Sequence, residues 1–369
     1  MTTYLLAGGG TAGHVNPLLA VADRIRAREP ESTVLVLGTA EGLESRLVPL
    51  RGYELLTVER LPFPRRPNAA ALRFPTRLAR SRARVVRLIR ERGVDLVIGF
   101  GGYAAAPAYL AARRAGIPFA LHEANAMPGI ANRLGARLTR SVGVAFQGTV
   151  LPNARFVGMP LRREIELLDV GSARADARRE LGLDPDRRTL LVTGGSLGAR
   201  RINHAVHATA AELVATGAQV LHIQGRMTAL EDPGVPGYTL LEYCDRMDLA
   251  LASADLVLSR SGAGTVSEIS ALGLPAVYVP YPVGNGEQRF NARDAIAAGA
   301  ARIVEDALVT PEWVRGELLP LLGDDESLAA MSAAAVATGV RDGADRMLDL
   351  ALEALAAHPQ RSGAQNGSR

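Results

Sequence analysis

Short apolar runs recur along this chain. Each passes into a glycine-rich or polar turn and then into a longer stretch with helical spacing. Residues 3–7 form the first run, and 33–37, 94–98 and 118–121 follow. Their length and even apolarity suit strands buried on both faces. The stretch from about Pro17 to Arg28 has a helical period, and Pro17 suits a first helical turn. Strand–helix–strand alternation of this kind predicts a parallel sheet with right-handed crossovers. The alternation restarts at 189–193 and continues through 219–224, 256–258 and 276–279, with a helix from about Ile202. A restart of this kind predicts a second domain. After about Glu305 the pattern is helical, over 311–322, 327–336 and an amphipathic 343–357.

Composition narrows the class. A chain of 369 residues suits two domains with ample cores. All 42 basic residues are arginine, and the net charge is only +4. The single cysteine, Cys244, allows no internal disulfide, which points to a reducing compartment. The N-terminal residues lack a basic region and a long apolar run, so no signal peptide is expected. No stretch reaches the ~18 to 20 apolar residues of a membrane span. The expectation is a cytoplasmic protein that is free to lie on a membrane surface.

One segment, 59–92, is dominated by arginine, with Glu59 and Glu91 as its only acids. Leu61, Phe63, Leu72, Phe74 and Leu78 are interleaved with the arginines. Val85, Val86, Leu88 and Ile89 are expected to pack on the sheet, whereas the earlier part has no such duty. Mixed arginine and aromatic residues over 61–84 read as a patch for an anionic membrane surface. A solvated basic helix is the plainer reading. RNA binding has no supporting motif, so no nucleic-acid partner is expected.

The chemistry concentrates in the glycine turns. Gly8-x-Gly10-x-x-Gly13 spells the dinucleotide fingerprint, but the acidic residue that should end the second strand is missing: that strand ends at Leu37-Gly38 and Glu41 comes late. No nicotinamide cofactor is expected. In 256–291 an apolar strand runs into a small-residue turn, and Thr265-Val-Ser-Glu268 then gives a capping-box pattern. A tight turn before a helix welcomes phosphate. Glu268 is better placed to accept two ribose hydroxyls, or else it only caps its own helix.

Several motifs together carry a resemblance. The stretch Ser261-Gly-Ala-Gly-Thr265-Val-Ser-Glu268, followed by Glu287-Gln288-x-x-Asn291, is similar to the donor signature of the MurG family. Those enzymes transfer N-acetylglucosamine to lipid I in peptidoglycan synthesis. GGTAGHVNP at 9–17, the Gly101-Gly102-Tyr103 turn, His122-Glu123-Ala-Asn125, Gly158-Met-Pro-Leu-Arg162 and Gly194-Gly-Ser196-Leu-Gly-Ala-Arg200 resemble further family elements in the right order. Ala12, Ala124 and Met159 depart from the usual residues.

The resemblance implies a GT-B glycosyltransferase, an α/β protein with two Rossmann-like domains facing a cleft. It places an acceptor and membrane-side domain at 1–162, joined by a returning helix at 343–357. The UDP-GlcNAc domain takes 163–342, and a disordered tail takes 358–369. Ser196 and the turn Ser261–Thr265, with Ala263, Gly264 and Thr265 in it, would hold the donor diphosphate, Glu268 the ribose, and the backbone at Cys244 the uracil. Gln288 and Asn291 would hold the GlcNAc hydroxyls, and Arg162 would meet the donor across the hinge. Thr11, Ala12, Gly13 and Asn125 would line the sugar side, and Gly101, Gly102 and Tyr103 the lipid I diphosphate. His14 is the expected base, with Glu123 and His122 as rivals. No metal is needed if helix dipoles and arginine neutralise the leaving UDP. The protein would work at the cytoplasmic face of the membrane as a peripheral enzyme. Another GT-B enzyme using a UDP-sugar, or a UDP-GlcNAc 2-epimerase, is the alternative.

Overall fold

Two all-parallel sheets frame the protein in a computed structural model, which describes residues 1–64, 68–195, 198–283 and 285–358. The first sheet holds β1 (Thr3–Ala7), β2 (Thr33–Gly38), β3 (Glu54–Thr57), β4 (Leu96–Gly99), β5 (Phe119–Glu123), β6 (Val142–Val144) and β7 (Ala154–Phe156). Their order is β3-β2-β1-β4-β5-β6-β7. The second holds β8 (Thr189–Thr193), β9 (Gln219–Ile223), β10 (Tyr238–Leu241), β11 (Leu256–Ser259), β12 (Ala276–Tyr278) and β13 (Ala301–Ile303), in the order β10-β9-β8-β11-β12-β13. The central strands β1, β4, β8 and β11 are buried almost throughout, as their unbroken apolar sequences require.

Helices cover both faces of each sheet. The first, Ala12–Arg28, starts five residues before Pro17. Pro17 therefore lies inside the helix, and the carbonyl of Gly13 loses its usual N–H donor. The last helix, Gly343–Ala356, returns to the first sheet, where Met347, Leu348, Leu350 and Ala351 pack with Tyr4, Leu6, Val15 and Leu18. Arg24 and Arg28 on the first helix meet Asp345 and Asp349 on the last at 3.1 and 2.7 Å. The helical run over 311–322 includes one wide turn at Val314–Leu318.

The arginine-rich segment contains a helix, Ala69–Glu91, whose N-cap Asn68 accepts a hydrogen bond from the Ala71 N–H at 3.0 Å. Val85 and Ile89 are buried against the sheet. Leu72 is 84% exposed, while the Phe63 and Phe74 rings lie 5.1 Å apart and are partly covered. Arg65 and Arg66 fall outside the described residues, as does the expected tail beyond His358.

Candidate active site

Parallel α/β sheets bind ligands outside the carboxyl ends of their strands, where the strand order reverses. In the first sheet that point lies between β1 and β4, and in the second between β8 and β11. The segments that leave these four strands, beginning at Gly8, Phe100, Gly194 and Arg260, are the glycine-rich ones. A cleft of about 430 Å³ opens there. Ala12, Gly13, Arg162, Cys244, Ala263, Gly264, Thr265, Glu268 and Gln288 line it, together with Gly194 and Gly195. A side-chain carbon added at Gly195, after β8, or at Gly264, in the first turn of the helix Ala263–Ala271, would meet nothing within 4 Å among the described residues, so both positions leave open space beside the backbone. Ser196 falls outside the described residues.

Glu268 does not cap its helix. That helix, Ala263–Ala271, begins at the N-cap Gly262, which makes no side-chain cap bond, and Thr265 is already inside it. The short turn after β11 starts the helix two residues before the T-x-x-E pattern. Arg162 donates from Nε and Nη2 to Glu268 Oε1, at 3.1 and 3.0 Å. Oε2 takes no hydrogen bond among the described residues. Burial pushes the Glu268 carboxyl above the usual carboxylate range, and Arg162 pulls it part of the way back. Gln288 Oε1 accepts from the Tyr281 N–H at 2.9 Å, which fixes the side chain at the rim. Burial also pushes the Cys244 thiol up, leaving it protonated beside the cleft.

On the facing side, His14 sits half-buried in the first turn of its helix, with Nδ1 3.3 Å from Thr11 Oγ1. A Cβ at Gly101 would come within 3.0 Å of its imidazole. Gly102, at φ +78°, passes so close to the first loop that a Cβ would lie 2.3 Å from the Gly9 carbonyl oxygen. The two glycine loops therefore interlock. Tyr103 lies beside them, with the Arg60 guanidinium 4.9 Å from its ring centroid.

Three expected site residues turn out to be scaffolding. His122 is fully buried; its Nε2–H donates to the Gly158 carbonyl at 2.9 Å, and burial lowers its pKa to about 4. Glu123 is 2% exposed and accepts from the Asn125 and Gly129 N–H groups at 2.9 Å and from Asn132 Nδ2 at 3.0 Å. Its carboxylate is spent on its own loop, so the expectation that it serves as a base is corrected. Asn291 is also fully buried. Its Oδ1 accepts from the Ala126 N–H at 2.9 Å, and its Nδ2 donates to the Ser261 carbonyl at 3.3 Å. Nδ2 also approaches Asn125 Oδ1 at 3.5 Å. Asn291 thus joins the two halves of the molecule instead of facing the cleft, and Asn125 lies against it.

Sequence reasoning passed over Arg260, which lines the cleft. Its Nη1 lies 3.2 Å from each of the Val279 and Pro280 carbonyls and 2.7 Å from Asp306 Oδ1. A cation at the end of a central strand was the available signal. Asn132 and Glu44 were also missed, because nothing in their local pattern separates them from ordinary helix residues.

Comparison with known proteins gives the family and the fold. The glycosyltransferase family 28 N-terminal domain matches residues 4–144, and the C-terminal domain of that family matches 189–347. The UDP-N-acetylglucosamine--N-acetylmuramyl-(pentapeptide) pyrophosphoryl-undecaprenol N-acetylglucosamine transferase of Clavibacter sepedonicus is 64% identical, covering 98% of this chain and 99% of its own. The crystal structure of Acinetobacter baumannii MurG superposes with a TM-score of 0.78 at 28% identity, covering 96% and 100% of the two chains. The S. aureus MnaA–UDP structure, at 13% identity and a TM-score of 0.67 over 98% and 100%, shares the fold alone.

Proposed function

The chain belongs to the MurG family of glycosyltransferases, and on that premise we propose how its two halves share the family's reaction. It transfers N-acetylglucosamine from UDP-N-acetylglucosamine to N-acetylmuramyl-(pentapeptide) pyrophosphoryl-undecaprenol, lipid I, and so makes lipid II. In our reading the MurNAc C4 hydroxyl attacks the anomeric carbon from the face opposite UDP, so the configuration inverts. Residues 1–162 with the returning helix form the acceptor side, and 163–342 the donor side.

The observation that carries the donor assignment is Glu268. It is a mostly buried carboxylate in the cleft wall, with one oxygen held by Arg162 and the other without a hydrogen bond among the described residues. It stands one turn beyond Gly264, which has open space beside it in the first turn of the helix. A ribose fits the free oxygen, and a diphosphate fits the turn. The N-termini of the helices Arg200–His207 and Ala263–Ala271, with Arg260, would stabilise the charge that develops on the leaving UDP. No metal enters this account. The backbone at Cys244 would read the uracil edge, and Gln288 would contact the sugar. The Gly101-Gly102-Tyr103 turn would take the lipid I diphosphate.

His14 is the proposed base. It stands at the acceptor-side glycine loops, and an imidazole nitrogen can take a proton from an attacking hydroxyl. The arginine-rich segment would hold the protein on the anionic cytoplasmic face of the membrane. No helix among the described residues is long and apolar enough to cross a membrane.

The decisive experiment supplies lipid I and UDP-GlcNAc and identifies the product. Lipid II with a β-1,4 link is expected, and its absence overturns the reading. Incubation with UDP-GlcNAc alone should yield no epimerised sugar.

A further inference from the structure

A fully buried carboxylate without a cation is costly unless donors surround it. Glu44 is 0% exposed, and no arginine or histidine among the described residues lies within ion-pair distance. Its Oε1 accepts from both the N–H and the Oγ1–H of Thr39 at 2.8 Å, and its Oε2 accepts from the Gly10 N–H at 2.8 Å. Glycines make room for it: a Cβ at Gly9 would lie 2.2 Å from Oε1, and a Cβ at Gly42 would lie 2.0 Å from Oε2. The carboxylate therefore fixes the loop after β1 to the loop after β2.

What it fixes is the loop that carries His14. Gly10, whose N–H it holds, precedes Thr11, and Thr11 Oγ1 lies 3.3 Å from His14 Nδ1. The same loop interlocks with Gly101 and Gly102, which pack on the imidazole and on Gly9. The Gly10 N–H is already engaged by the Glu44 carboxylate, so it is not available to a ligand.

We propose that Glu44 is a positioning residue for glycosyl transfer. It sets the 9–14 loop, and through it the His14 imidazole, against the acceptor sugar. The inference rests on the transferase reading with His14 as base. A carboxylate accepts three hydrogen bonds here, and an amide cannot, because its NH₂ would face either the Gly10 or the Thr39 N–H.

The test compares parent, Glu44→Gln and Thr39→Ala with lipid I and UDP-GlcNAc, alongside calorimetric binding of UDP. A displaced loop costs on the order of 10²-fold in turnover when the reacting groups shift by about 1 Å. Glu44→Gln should lower kcat to about that extent, with UDP affinity within twofold of the parent and the shape of the pH–rate profile unchanged. Thr39→Ala keeps the N–H donor and should lose only severalfold. A Glu44→Gln protein with parental kcat overturns the inference, as does one in which UDP affinity falls in step with kcat. If Glu44→Gln does not fold, Thr39→Ala decides alone: parental kcat overturns the proposal. A parent that makes no lipid II overturns the transferase reading itself.

Discussion

Glu268→Ala tests the ribose contact. Oε1 is committed to Arg162, so the ribose hydroxyls have Oε2 to bond. A hydrogen bond to a charged group contributes about 1.5–3 kcal/mol, so the Kd for UDP should rise about 10–150-fold. Two side effects bear on that figure. Arg162 loses its partner, but the pair is partly exposed, at 22% and 18% for the two side chains. Water then solvates some of the guanidinium, and the stability loss should stay near 1–2 kcal/mol, below that of a fully buried pair. The freed Arg162 can also turn to the diphosphate and mask part of the lost affinity, so the Arg162→Ala and double variants complete the cycle. The sharper readout is dUDP. The parent should prefer UDP over dUDP by about tenfold, one hydrogen bond's worth, and Glu268→Ala should bind both alike. Calorimetric titration of each variant with both nucleotides, beside a thermal melt, measures this. A folded Glu268→Ala protein that still prefers UDP as the parent does would refute the reasoning.

Further predictions concern the rest of the molecule. His14→Ala should lower kcat by about 10²–10⁴-fold with UDP affinity little changed; near-parental kcat removes His14 as the base. Changing Arg65, Arg66, Arg73 and Arg77 together to Ser should abolish pelleting with anionic liposomes, since each contributes about 1 kcal/mol near such a surface, and turnover of a short-chain soluble acceptor should survive. His122, lowered by burial from 6.5 to about 4, stays neutral in the folded protein while the unfolded chain gains a proton. Stability should therefore fall as pH drops from about 6.5 to about 4, by about 3 kcal/mol for this group. The melting curve of a His122→Gln protein should depend less steeply on pH over that window, and an unchanged slope removes His122 as the cause.

The central strands were legible in the sequence because burial on both faces leaves an unbroken apolar run, as at Thr3–Ala7 and Thr189–Thr193. The edge strands β3, β7 and β13 were not, because they are three or four residues long and partly exposed. The glycine turns were legible because a positive φ or a close backbone approach restricts the residue, as at Gly102. The difference between Glu268 and Glu123 was not. Both follow the same kind of small-residue or strand-end pattern, and only long-range partners separate them. Arg162 lies 106 residues from Glu268 and leaves it one free oxygen, whereas donors close by in the chain consume Glu123. Asn291 misled for a similar reason, since its partner Ala126 lies 165 residues away on the other half.

The Asn291 amide also dictates how the two halves can move. Its oxygen holds the segment after β5 and its nitrogen holds the turn after β11, so one side chain acts as a pin through both leaves of the molecule. Pulling the leaves apart at that point would break the bond between the Ala126 N–H and the Asn291 amide oxygen. Turning one leaf about the pin keeps both bonds. A twist about this point therefore keeps a bond that straight separation loses, and so is favoured by one hydrogen bond's worth, roughly 1 kcal/mol. A donor held on one rim would then be swept across an acceptor held on the other, at a radius set by its distance from Asn291.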